Sequence, residues 1–191
     1  MTWSYVARQP ILATNRDVVG YELLFRDGDD NAFPGVSGEE GTSRLIVEQQ
    51  FDGDIRDLVG NNSAFINFSR KSLIDELPKF LPAKGVVIEV LETVEPDDQI
   101  IAVCKDLKAC GYSLALDDYD FNPEWLPWMH LFDIIKIDIT QFPRDQLVRH
   151  LSQSDFQSAR LLAERVQTEA DFYDCQEMGF SMFQGYFFAK P

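Results

Sequence analysis

Cysteine and histidine are scarce in this chain, basic residues are outnumbered, and no hydrophobic run is long. Each shortage removes a class of function. Cys104, Cys110 and Cys175 are an odd number without CxxC spacing, so they read as ordinary thiols of a reducing compartment and not as a zinc site or disulfide framework. The two histidines, His130 and His150, read as surface or helix residues and take no role. Lysine and arginine number 17 against 32 aspartates and glutamates, a formal charge of −15, which argues against binding nucleic acid or an anionic membrane through a basic surface. The opening MTWSYVARQP has neither a charged n-region nor an apolar h-region, and no run approaches the length of a membrane span. The expectation is a soluble, cytoplasmic protein. GxGxxG and GxxxxGK[ST] are both missing, so nothing supports a nucleotide fold of those kinds.

What is present is apolar and aromatic. Hydrophobic residues make up 45% of the 191 positions and phenylalanine alone supplies 15, enough for one globular domain, 1–191, with a sizeable core. SYVARQPI (4–11) and VVGYELLFR (18–26) predict a hairpin across the polar turn ATNRD. The Gly- and Asp-rich stretch 27–41 is the one long loop, either mobile or a lid, and 42–51 has helical spacing. Thereafter strands alternate with helices. SAFINFS (63–69) precedes a short helical turn; GVVIEVLE (85–92) precedes helix 96–110; YSLALDD is followed by a short connection, 121–131. FDIIKID (132–138) precedes a helix near 141–152, SARLLAER (158–165) precedes helix 168–178, and MFQGYFF (182–188) closes the series. Eight strands, mostly apolar and separated by helices, predict an α/β fold, a trimmed (β/α)8 TIM-like barrel; a doubly wound open sheet is the alternative.

The strand ends carry the chemistry. Strand two holds Glu22, strand three Asn67, strand four Glu89, strand five Asp117 and Asp118, strand six Lys136, strand seven Glu164, and strand eight begins with Gln184. In a barrel, functional side chains come from the carboxyl ends of several strands. A polar group inside FINF, VIEV, IIKID or LLAER must find a partner, because burying it alone costs several kcal/mol. Taken singly, each has a structural explanation: Lys136 paired with Asp138 or Asp118, Glu89 in a barrel salt bridge, the Asp pair in a solvated turn. Together, four or more carboxylates and an amide, all oxygen donors, suit a hard divalent cation such as Mg²⁺, Mn²⁺ or Ca²⁺.

The series resembles the EAL-domain phosphodiesterases that hydrolyse cyclic di-GMP in bacterial signalling. RQPILATNRDVVGYELLFR is similar to the family's opening QPI…G-x-E-A-L-x-R, with Glu22-Leu23-Leu24 at the signature itself. FINFS matches N-x-S, IEVLE resembles E-x-T-E with Leu91 for Thr, LALDDY matches L-D-D-F, and IIKID matches K-I-D. LLAERVQT resembles A-E-G-V-E-T, and FQGYFFAKP the closing QGYxF-x-x-P. The order covers essentially the whole chain and is most similar to shortened EAL domains that precede an HDOD domain. The resemblance implies an antiparallel first strand, and one cation held by Glu22, Asn67, Glu89 and Asp117. It implies a second held by Asp117, Asp118 and Glu164. Lys136 and Gln184 would position the attacking water, Gln9 and Arg26 would contact the phosphates, and Glu92 would anchor the loop after the Asp pair. It implies Mg²⁺ or Mn²⁺ as cofactor with Ca²⁺ as inhibitor or substitute, cyclic di-GMP as partner, no DNA or RNA, and admits a homodimer and a downstream HDOD-type domain.

Two departures set hydrolysis against a second reading. The family's loop F-G-T-G-x-S-S is here Tyr119-Asp120-Phe121-Asn122-Pro123-Glu124-Trp125, without its glycines, and Arg165 replaces the Gly of A-E-G-V-E, with Gln167 in place of its second Glu. These changes favour a weak or silent domain that serves as a cyclic di-GMP receptor or protein-interaction module. The complete ligand set favours hydrolysis to linear pGpG, because an abandoned site would lose buried charges that destabilise it. An unrelated barrel enzyme using Mg²⁺ and a lysine is a third alternative, and would show no affinity for cyclic dinucleotides.

Overall fold

A computed structural model describes residues 4–27, 55–154, 156 and 159–189, with the side chains of residues 4, 5 and 25–27 outside that description. The expected loop 27–41, apart from its first backbone residue, the helix 42–51 and the Arg26 side chain therefore lie outside the described residues. Strands β1 (Ser4–Ala13) and β2 (Val18–Asp27) form the predicted hairpin, in register from Ser4 opposite Asp27. Its turn closes through Ala13 N–H to the Asp17 carbonyl at 2.9 Å, with Arg16 at φ 66° and Asn15 bonded to Asp17 through both side chain and backbone. Then follow β3 (Ser63–Phe68), β4 (Val86–Val90), β5 (Ser113–Leu116), β6 (Ile134–Asp138), β7 (Arg160–Glu164) and β8 (Met182–Phe183). The sheet closes in sequence order from β1 to β8, parallel from β2 onward, with β1 antiparallel to both neighbours. This is the expected barrel with its reversed first strand.

The crossovers are short. Helices α1 (Ile55–Val59), α2 (Arg70–Ile74), α3 (Asp98–Ala109), α4 (Arg144–Gln153) and α5 (Glu169–Glu177) run along the outside. The Asp97 carboxylate accepts the Ile100 N–H to start α3, and Thr168 with Asp171 forms a capping box on α5. Between β5 and β6 there is only a 3₁₀ segment, Pro123–Leu131, whose internal Pro127 lacks the N–H that a regular helix would need. No helix among the described residues is long and apolar enough to cross a membrane.

Two readings of elements are corrected. Helix α1 was not among the predicted elements; it is five residues long, too short for periodicity to show. Strand β8 stops at Phe183, so Gln184 follows the strand instead of opening it. Gly185, at φ 155°, turns the chain tightly around Val166: a β-carbon there would lie 2.2 Å from the Val166 carbonyl oxygen. Val166 N–H donates to the Gln184 carbonyl and Phe187 N–H to that of Val166, so 185–188 is a turn.

Inside the barrel, side chains alternate as the pleat requires. Ile66, Phe68, Ile88, Val90, Leu114, Leu116, Ile135, Ile137 and Ala163 belong to the core that also contains the outer helices. Ile11, Phe65, Val87, Ala115, Ile134, Leu162 and Met182 form a separate buried cluster that fills the interior. Two residues further along each parallel strand stand Asn67, Glu89, Asp117, Lys136, Glu164 and Gln184. On the reversed β1 the corresponding step leads back from Ile11 to Gln9, which pairs with Glu22. An apolar floor thus lies directly beneath a polar layer.

Candidate active site

The polar layer is held together by one ammonium group. Lys136, 1% exposed, donates from Nζ to Asp117 Oδ1 at 2.5 Å, and stands 2.7 Å from Glu89 Oε1, 3.1 Å from Glu164 Oε1 and 3.7 Å from Glu22 Oε2. The expected pairing with Asp138 or Asp118 is corrected. Asp138 ends β6, where the chain turns, and its carboxylate accepts from the Thr140 N–H and hydroxyl at 2.9 and 2.7 Å. The expectation that Glu89 belongs to a barrel salt bridge holds.

Four carboxylates outnumber the lysine. Burial raises Glu89 and Glu164 well above the usual carboxylate range, and Lys136 only partly opposes it. Burial likewise pushes Asp117 up to about 6 against the pull of Lys136. Burial acts to lower Lys136, but Asp117, Glu164, Glu22 and Glu89 together hold it well above its ordinary value, as a fixed cation. Such a layer is short of positive charge, and further cations would relieve it.

The amides knit the layer's edge. Asn67 Nδ2 donates to Glu22 Oε1 at 3.0 Å, while Gln184 Nε2 donates to Glu22 Oε2 at 2.5 Å and to Gln9 Oε1 at 3.0 Å. Both amide nitrogens face acceptors, which turns their oxygens toward a cation as available ligands. Asn67 Oδ1, Glu89 Oε2, Glu164 Oε2 and Gln184 Oε1 are all buried without a hydrogen-bond partner. Orphaned, hard oxygen atoms at one level of a barrel are the donor chemistry of a Mg²⁺ or Mn²⁺ site. Among the described residues no three acidic, imidazole or thiolate side chains already converge as a metal cage. The carboxylates gather instead around Lys136.

Above this layer opens a cavity of about 620 Å³, lined in part by Glu22, Asn67, Asp117, Asp118, Glu164 and Gln184. Strand alternation would send Asp118 to the opposite side from Asp117. It reaches the same cavity because its backbone is left-handed, φ 42°, a conformation Asp tolerates better than most residues. The structure thus brings together Gln9, Glu22, Asn67, Glu89, Asp117, Asp118, Lys136, Glu164 and Gln184 from the expected set. Glu92 is not drawn in: it is exposed after β4 and makes no hydrogen bond or ion pair among the described residues. The loop beyond Asp118 is fixed by other means. Tyr119 N–H donates to the Lys136 carbonyl, Asp120 and Asn122 side chains cap the backbone of Asn122 and Glu124, and Phe121 stacks on His150 at 4.5 Å between centroids.

Residues the sequence reading did not count as ligands also line the cavity: Leu24, Arg165, Gln167 and Tyr186. Arg165 had a signal, since an arginine where the resembling family keeps glycine must either fit a left-handed backbone or displace it.

The family model of the EAL domain matches residues 42–191. The chain is 43% identical over 194 residues to the cyclic di-GMP phosphodiesterase CdgJ of Vibrio cholerae, covering 100% of this chain and 45% of that protein. It is 35% identical over 192 residues to YuxH of Bacillus subtilis, covering 98% and 47%. The chain therefore spans a little under half the length of these curated relatives. The solved Bacillus subtilis YkuI protein, with an EAL domain in complex with cyclic di-GMP and calcium, superposes with a TM-score of 0.73. That match covers 96% of this chain and 54% of YkuI at 20% identity, a likeness of fold.

Proposed function

The chain belongs to the EAL domain family, and from that premise we propose that it is a metal-dependent phosphodiesterase that hydrolyses cyclic di-GMP to linear pGpG. The observation that carries the reading is the set of buried, unpartnered oxygens around Lys136 at the carboxyl ends of the strands. Glu22, Asn67, Glu89 and Asp117 would hold one Mg²⁺ or Mn²⁺; Asp117, Asp118 and Glu164 would hold a second. When bound, such a pair lowers the pKa of a shared water and stabilises in-line attack on a phosphodiester. Lys136 keeps a fixed positive charge beside Asp117 whether or not cations are present, and with Gln184 it positions the water. Gln9, tied to Gln184 at 3.0 Å, orients that amide and contacts the phosphate together with Arg26. The relative CdgJ is named for this activity, and YkuI was solved with the dinucleotide and a divalent cation. The setting we propose is a cytoplasmic one, with a homodimer and a following HDOD-type domain as partners, and with Ca²⁺ as a cation that supports binding without turnover.

A second reading is a receptor that binds cyclic di-GMP without cleaving it. One feature favours it: the loop 118–125 has no glycine, is bonded to itself, and packs its Phe121 against Phe142, His150 and Phe156. The deciding experiment is hydrolysis of cyclic di-GMP with Mg²⁺ and then Mn²⁺ at high protein concentration, with binding followed on the same sample. Release of pGpG supports the enzyme, binding alone supports the receptor, and neither overturns both.

A further inference from the structure

Arg165 occupies a backbone position built for glycine. Its φ is 56°, in the left-handed region where a β-carbon is penalised, and it immediately follows Glu164 at the end of β7. A bulky residue held there points to something its side chain does. That side chain is 63% exposed and lines the cavity above the polar layer. Its Nε forms an ion pair with Asp138 Oδ2 at 3.1 Å, and Asp138 is itself buried and fixed through Thr140. The anchor grips one edge of the guanidinium. The two Nη groups have no hydrogen bond or ion pair with any described residue.

The cavity's charge makes that free edge significant. Four carboxylates line it, and Arg165 is the one cationic side chain among the described residues that do. Lys136 lies a layer lower and is occupied by Asp117, Glu89, Glu164 and Glu22. We infer that Arg165 is a phosphate-binding residue at the cavity rim, its guanidinium preset by Asp138 to grip a phosphodiester of the bound dinucleotide. The inference rests on the reading of the site given above. A guanidinium presents paired N–H donors that match two phosphate oxygens, and anchoring through Nε removes part of the rotamer entropy that binding would otherwise cost.

The test compares wild-type protein with R165G and R165K, by calorimetric titration of cyclic di-GMP with Ca²⁺ present, at low and high salt. R165G relieves the left-handed backbone while giving up the ion pair to Asp138, so its melting midpoint should stay close to that of wild type. Charge-assisted hydrogen bonds of this kind make the expected rise in Kd for R165G about ten- to a hundredfold, with a flatter salt dependence. R165K, which keeps the charge and loses the fork, should recover part of the affinity and most of the salt dependence. Wild-type affinity in R165G would overturn the inference and leave Arg165 as a partner for Asp138 alone. A loss that R165K does not mend, with unchanged salt dependence, would also overturn it, because that is the signature of a structural role. Wild-type protein that fails to bind would overturn the proposed function and this inference with it, so the two failures are read from different arms.

Discussion

The barrel's interior holds two layers made by the same strands, and they solve opposite problems. In the floor, Phe65, Val87, Ala115, Ile134, Leu162 and Met182 fill space, and Gly20 leaves room for the Phe65 ring. Two residues on, Asn67, Glu89, Asp117, Lys136, Glu164 and Gln184 leave space open and keep charge in it. The floor is satisfied by contact alone. The layer above is left with unpartnered oxygens and a surplus of carboxylates, a condition that a fold tolerates only where something else completes it. What separates stability from function here is a single step of the strand's alternation.

The sharpest way to break the contrast is at Asp117, proposed to serve both cations. D117N should lower turnover at least a hundredfold, roughly the several kcal/mol of transition-state stabilisation a metal centre supplies, while the protein stays folded. Unchanged pGpG release would remove the two-cation reading. Next is Lys136. K136M strips the ammonium from buried carboxylates and should cost about 3–5 kcal/mol in urea unfolding with EDTA present, part of it regained with Mn²⁺. If stability in EDTA does not change, the layer is not held by this charge. In the floor, G20A would place a β-carbon 2.5 Å from Phe65 Cε2. It should cost about 1–3 kcal/mol with no dependence on metal, and F65L in the same chain should relieve it. Metal-sensitive loss in G20A would mean that the layers are not independent. The smallest effect belongs to charge outside the barrel. The Arg149–Asp145 pair is well exposed on α4, and R149A should leave the melting midpoint where it was.

The polar layer was largely legible because its members interrupt or directly follow apolar strands, one strand after another, and a polar group there needs a partner. Partners were less legible. The strand pattern offers Lys136 the partners Asp138 and Asp118, whereas its contacts come from β2, β4, β7 and the end of β5, brought close only by barrel closure. Glu92 takes its role from resemblance alone, and among the described residues the loop after the Asp pair is held by its own side chains and an aromatic cluster. The extent of β8 was overread because QGYFF is as apolar as a strand, and the turn at Gly185 depends on contact with Val166, some twenty residues away.

By itself, the amino-acid sequence determined the run of strands and helices, the oxygen-rich donor set and the acidic balance, all of which are local patterns or sums over the chain. Only the tertiary structure decided that one lysine is shared among four carboxylates, that a left-handed backbone turns Asp118 into the same cavity as Asp117, and that Arg165 is anchored at the rim. Those facts rest on distances across a closed sheet and on single backbone angles, and no window of residues along the chain contains them.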